Sequence, residues 1–237
     1  MRNILIFTLL ILGLASVLPS LATDKTAAAD DPIVKVEQLP ESSVARGLSE
    51  RATSSWPWYL TRASGLVAAL AFVILMLSGV GLISGRTFSF FEPLTAWATH
   101  RALGIVLAVS TVVHVGALFF DSFEPFGIID LLVPFASDYK TIDIFGIYFG
   151  SLYVALGVLA LYIIAAITIA SLLWIDKMPR LWKFTHILSY LAMILVFVHA
   201  LYLGTDLATG LLRWVWIVSA FIVLFASFSR LWRAKTV

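Results

Sequence analysis

Residues 94–120 read LTAWATHRALGIVLAVSTVVHVGALFF, an apolar run with one formal charge, Arg101, and two histidines, His100 and His114. At a rise of about 1.5 Å per residue, a helix of this length exceeds the roughly 30 Å of a bilayer's hydrocarbon core. Lipid offers the backbone no hydrogen-bond partner, so a spanning run must satisfy its own N–H and C=O groups as a helix. Working outward, four more runs have the same character: 60–83, 144–175, 181–203 and 211–228. The sequence therefore predicts an all-α membrane protein, a bundle of five transmembrane helices plus an N-terminal signal peptide or sixth helix. Composition agrees, with 61% hydrophobic and 13% charged residues among 237, where soluble domains hold about 45–50% and about 25%.

The flanks divide into segments. Residues 1–22 carry Arg2, an apolar run and small residues at the end, the pattern of a cleaved signal peptide or a retained signal anchor. Residues 23–55 turn to Ala, Asp, Glu, Lys, Ser and Pro; so polar a stretch buries too little apolar surface to order itself and is expected to be a flexible exported tether. The membrane domain is expected over 56–233. Between the second and third runs, Pro125 to Phe135 is apolar but too short to span, and is expected to lie along the interface or cap the bundle. Trp56, Trp58, Trp97, Trp174, Trp182, Trp214, Trp216 and Trp232 fall near predicted helix ends, where such rings settle at headgroup level.

Loop charges orient the bundle. Lys177, Arg180 and Lys183 crowd one connection, and Arg230, Arg233 and Lys235 the C-terminus, so both face the cytoplasm. Asp121, Glu124, Asp130, Asp138 and Asp143 gather in the opposite loop, which with 23–55 faces the exterior or periplasm. The expected location is the cell (inner) membrane, crossed several times. A net charge of only +2 gives no nucleic-acid surface. With no cysteine, disulfides, thiolate-held clusters and covalently attached haem are excluded.

All four histidines lie in two predicted spans, His100 and His114 in the second, His186 and His199 in the fourth. An ionisable group inside a span marks function by default. Both helices run from inside to outside, so His100 pairs in depth with His186 and His114 with His199. Spacings of 14 and 13 residues correspond to about 21 and 19.5 Å of rise, room for two stacked macrocycles, each held by two axial imidazoles. Zinc or copper fits poorly, because ligands for one small ion must converge. Rotation is less regular: 14 residues at about 100° fall about 40° short of four turns, and 13 about 140° short, so the fourth helix needs some distortion, either a local bulge or differing ligand rotamers.

The motifs Thr99-His100-Arg101-Ala102-Leu103-Gly104 with His114, and Leu181-Trp182-Lys183-Phe184-Thr185-His186 with Tyr190 and His199, resemble the ferric reductase-like transmembrane domain. That family includes ferric reductases, NADPH oxidases and the haem subunit of a periplasmic methionine sulfoxide reductase. The resemblance covers about 56–232, and the unequal spacings suit the oxidase and reductase branch better than respiratory cytochromes b. It implies two b-type haems carrying electrons outward, the inner one on His100 and His186, the outer one on His114 and His199, with Arg101 as a candidate partner for an inner propionate. It also implies six helices, the sixth supplied only if the N-terminal segment is retained.

No dinucleotide fingerprint follows a strand anywhere in the sequence, so no FAD or NAD(P) site is expected in this chain. The expected function is that of an oxidoreductase component, taking electrons from a separate flavoprotein or quinol and passing them to an exterior acceptor. A haem subunit of a periplasmic repair reductase is the near alternative; a haem-free transporter or assembly protein is the distant one. Gly81 with Gly85 and Gly146 with Gly150 read as small pairs for close helix packing, Met76 and Met193 as core filler, and Arg62 and Arg213 as side chains snorkelling to headgroups.

Overall fold

The computed structural model describes residues 41–121, 126–140, 142–144, 147–149 and 151–233. The chain divides into two compact units, Met1–Val44 and Ala45–Val237, and the account below concerns the second. The leader expected at 1–22 and the start of the 23–55 segment lie outside the described residues, as do Gly146 and Gly150.

Helix α1, Glu41–Ile83, begins inside the segment expected to be a tether, so the boundary drawn at 55 falls within a helix. Its Glu, Ala, Arg and Leu residues before Ser54 are good helix formers, and polarity alone did not reveal this. A 3-10 turn, Arg86–Ser89, leads to α2, Pro93–Leu118, which opens on proline, where a missing N–H costs nothing. Then follow α3 (Ile128–Leu132), strands β1 (Ile142–Ile144) and β2 (Ile147–Phe149), α4 (Leu152–Leu173), α5 (Pro179–Ile187), α6 (Ser189–Leu203), a 3-10 turn (Thr205–Leu207) and α7 (Gly210–Arg233). Among the described residues, five segments are long and apolar enough to cross a membrane: Ser55–Ile83, Pro93–Leu118, Leu152–Leu173, Pro179–Leu203 and Gly210–Arg230. The chain is an all-α membrane bundle with one small strand pair beside it.

That pair corrects the third predicted run, which was to start at Ile144. Strands β1 and β2 pair antiparallel, with Ile142 opposite Phe149, Asp143 opposite Tyr148 and Ile144 opposite Ile147. Isoleucines and aromatics in alternation suit a strand as well as an apolar helix, which hydropathy cannot separate. The helix begins only after Ser151, whose hydroxyl accepts the Val154 N–H at 3.3 Å. Helix α3 buries Leu131 and leaves Ile128 and Ile129 exposed. It is tied to α4 where the Tyr162 hydroxyl donates to the Leu132 carbonyl.

The core lies at mid-span. Phe72 and Met76 of α1, Leu107 of α2, Ile164 of α4, Met193 and Phe197 of α6 and Trp216 and Val223 of α7 pack together, and the two methionines fill gaps as expected. Trp216 departs from the expected interfacial position: it is buried, its indole N–H donates to the Phe197 carbonyl at 3.2 Å, and the two rings lie 4.5 Å apart. A buried indole needs such a partner. Gly81 and Gly85 do not pack two helices together. A Cβ at Gly81 would meet the Thr87 side chain of the 3-10 turn, and Gly85, at φ 72°, starts that turn in the left-handed region.

At the end opposite the basic connection, Arg62 does not snorkel. Its guanidinium grips both carboxylate oxygens of Asp206 in the α6–α7 turn, with Nε to Oδ2 at 2.9 Å, and lies 4.1 Å over the Trp58 ring. Arg213 likewise turns inward, donating to the carbonyls of Leu207 at 3.1 Å and Ala208 at 3.4 Å. The carboxylate was the missing signal: a lone Asp206 in a short turn is the natural partner for a cation buried beside it. A bidentate pair with side chains 32% and 19% exposed should couple more strongly than the usual surface pair. In a double-mutant cycle on Arg62→Ala and Asp206→Ala, unfolding in detergent should show a coupling of about 1 kcal/mol or more; additive single effects would refute the clamp.

Candidate functional site

Helices α2 and α5–α6 carry the four histidines, each partly buried, and the structure brings them together in the two levels expected. His100 and His186 face each other with ring centroids 6.3 Å apart and planes inclined by 49°. His114 and His199 lie within electrostatic reach of one another at the other level. The apolar core with Phe72, Met76, Met193 and Phe197 occupies the mid-span. No group of three or more potential metal-ligating side chains converges among the described residues.

The distortion expected in the fourth span is a break. Helix α5 ends at Ile187 and α6 starts at Ser189, with Leu188 between them donating its N–H to Thr185 three residues back at 3.1 Å. A tightened turn adds about 20° per residue over an α-helical one, which reduces the 140° offset between His186 and His199 in the required sense. Trp182 of α5 ties this turn to α4: its indole N–H donates to the Ser171 hydroxyl at 3.2 Å, and its ring lies 5.1 Å from that of His186.

The groups that hold each ring were not legible as motifs. The Nδ1 atoms of His114 and His199 each lie 2.8 Å from a backbone carbonyl, Thr61 in α1 and Tyr153 in α4. A carbonyl only accepts, so both rings donate from Nδ1 and keep a bare lone pair on Nε2. The Nδ1 of His100 lies 2.8 Å from the Ser78 hydroxyl, whose own proton goes to the Leu75 carbonyl; this ring too donates from Nδ1. His186 differs, since its Nδ1 is buried without a hydrogen-bond partner, at a cost of roughly 1–3 kcal/mol unless water or a bound group supplies one. Gly65, Gly79 and Gly157 lie against three of the rings. The only sequence signal for these neighbours is small or polar residues facing inward on helices that carry no histidine.

The remaining sequence candidate, Arg101, is exposed beside His100, with no ion-pair partner among the described residues. Tyr190, quoted with the His186 motif, accepts from Arg230 of α7 and ties the last helix to α6. At the opposite end the rings of Tyr153 and Tyr202 stack 4.3 Å apart and nearly parallel. In solid-state NMR of protein labelled with ¹⁵N-histidine and prepared without haem, His114 and His199 should show protonated Nδ1 and bare Nε2. The opposite tautomer at either ring would contradict the assignment.

Comparison with known proteins follows the same stretch of chain. Neither a curated protein nor a solved structure matches. Residues 91–197 match the family model of the ferric reductase like transmembrane component. The match holds His100, His114 and His186, together with the break at Leu188, and stops just short of His199. Over that stretch, somewhat less than half of the chain, the sequence is similar to ferric reductase-like transmembrane components.

Proposed function

We propose that this chain carries electrons across the membrane through two b-type haems, one held by His100 and His186 and the other by His114 and His199. The observation that carries the reading is the pairing of four imidazoles at two levels of one bundle. A metal–imidazole bond runs about 2.0–2.1 Å, so two facing rings sharing one ion have centres about 6 Å apart; His100 and His186 stand at 6.3 Å. Three of the four rings give Nδ1–H to Ser78, Thr61 or Tyr153, which leaves Nε2 free to ligate. A haem held by His100 with His186, or by His114 with His199, would supply reversible one-electron chemistry there.

The chain's own residues do the rest. The helix carbonyls and the Ser78 hydroxyl fix the direction of His100, His114 and His199 and raise their basicity. The core of Phe72, Met76, Met193 and Phe197 excludes water from the space between the levels. Arg101, exposed beside His100, is the partner for a propionate at the inner level. Electrons come from a cytoplasmic flavoprotein or from membrane quinol, and leave to an acceptor on the side of the Arg62–Asp206 clamp, which is the exterior face of the inner membrane.

In purified protein a pyridine haemochrome assay should count about two b-type haems per chain, and His114→Ala or His199→Ala should reduce the count to about one. One haem in the unaltered protein would make one histidine pair structural. None, after expression with ample haem, would overturn the reading.

A further inference from the structure

His114 and His199 hydrogen-bond to different helices, yet the two arrangements share a register. The accepting carbonyls belong to Thr61 and Tyr153, at 2.8 Å each. Four residues after each stands a glycine, Gly65 in α1 and Gly157 in α4. In an α-helix the carbonyl of residue i points toward the N–H of residue i+4, so a side chain at i+4 screens the lone pair that remains. A Cβ at Gly65 would lie 3.0 Å from Nδ1 and 3.1 Å from Cε1 of His114; at Gly157 it would lie 2.5 Å from both atoms of His199. Each imidazole therefore occupies the place of a missing side chain and reaches the carbonyl through it.

The inner level is built otherwise. His100 rests on the Ser78 hydroxyl, and a Cβ at the neighbouring Gly79 would come only to 3.2 Å of its Cε1. His186 has no Nδ1 partner. Gly104 and Gly116, on the same helix as His100 and His114, have nothing within 4 Å of an added Cβ, so proximity to a ring is particular to the three glycines on the facing helices.

We propose that Gly65 and Gly157 are positioning residues of the outer level: each uncovers a helix carbonyl that fixes the tautomer and direction of one histidine. This rests on the two-haem reading and adds that the outer level is set by backbone carbonyls, whereas at the inner level His100 is set by the Ser78 side chain. A Cβ is not tolerated at Gly157 and is tight at Gly65 and at Gly79, where the ring must give way slightly.

The test is an alanine series in the whole chain, read by haem count and by the low-spin electron paramagnetic resonance signals. Gly157→Ala should fall to about one haem and lose the same signal that His199→Ala removes. Gly65→Ala should keep two haems with the outer signal shifted, Gly79→Ala should shift the inner signal alone, and Gly104→Ala should match the unaltered protein. Two haems with unchanged signals in Gly157→Ala would overturn the proposal. Where Gly157→Ala does not fold, the double variant Gly157→Ala/His199→Ala removes the colliding ring; recovery supports the slot, and failure to recover overturns it. If the unaltered protein binds no haem, the two-haem reading fails by itself. The slot is then read by ¹⁵N NMR: the His199 Nδ1–H must be lost in Gly157→Ala, and an unchanged tautomer overturns it.

Discussion

An imidazole N–H placed among lipid-facing helices must find an acceptor inside the protein, because hydrocarbon supplies none and an unpaired buried donor costs roughly 1–3 kcal/mol. Three histidines of this chain meet that demand at helix carbonyls and a serine hydroxyl, all on helices that carry no histidine themselves. The positions of α1 and α4 follow from it. Helix α1 serves both levels, through Thr61 and Ser78, while α4 serves one, through Tyr153. The same bonds leave Nε2 bare on each of these three rings, so the contacts that satisfy the fold also leave each ring a free lone pair.

The two ends of the bundle are held differently. At the end opposite the basic connection Arg62 and Asp206 bind α1 to the α6–α7 turn, and Arg213 closes that turn onto α7. At the end of the basic connection the ties are single hydrogen bonds, Trp182 to Ser171 and Arg230 to Tyr190, beside a broken helix and an unsatisfied His186. The His114 and His199 level thus lies beside a bidentate ion pair, and the His100 and His186 level beside single hydrogen bonds.

Much of this was legible before any coordinates. Five runs of sufficient length and the depth pairing of four histidines need only helix rise and loop charge. Hydropathy failed at 142–149, because isoleucine and aromatics serve a strand or a span equally, and at Trp216, where it sees an interfacial ring and misses the Phe197 carbonyl. Arg62 was misread since its partner lies far away in sequence at Asp206. The arithmetic showed that His186 and His199 were out of phase without locating the break, which Leu188 makes by one short hydrogen bond. Gly65 and Gly157 were beyond reach, for their meaning depends on a ring from another helix.

The most direct test of the account is electron flow across a sealed bilayer. Protein loaded with haem is reconstituted in liposomes holding ferricyanide, and an impermeant reductant is added outside. The account predicts that the ferricyanide bleaches at a rate set by the protein, and that His100→Ala or His199→Ala stops it. Persistent ferricyanide in vesicles whose protein holds both haems would contradict it.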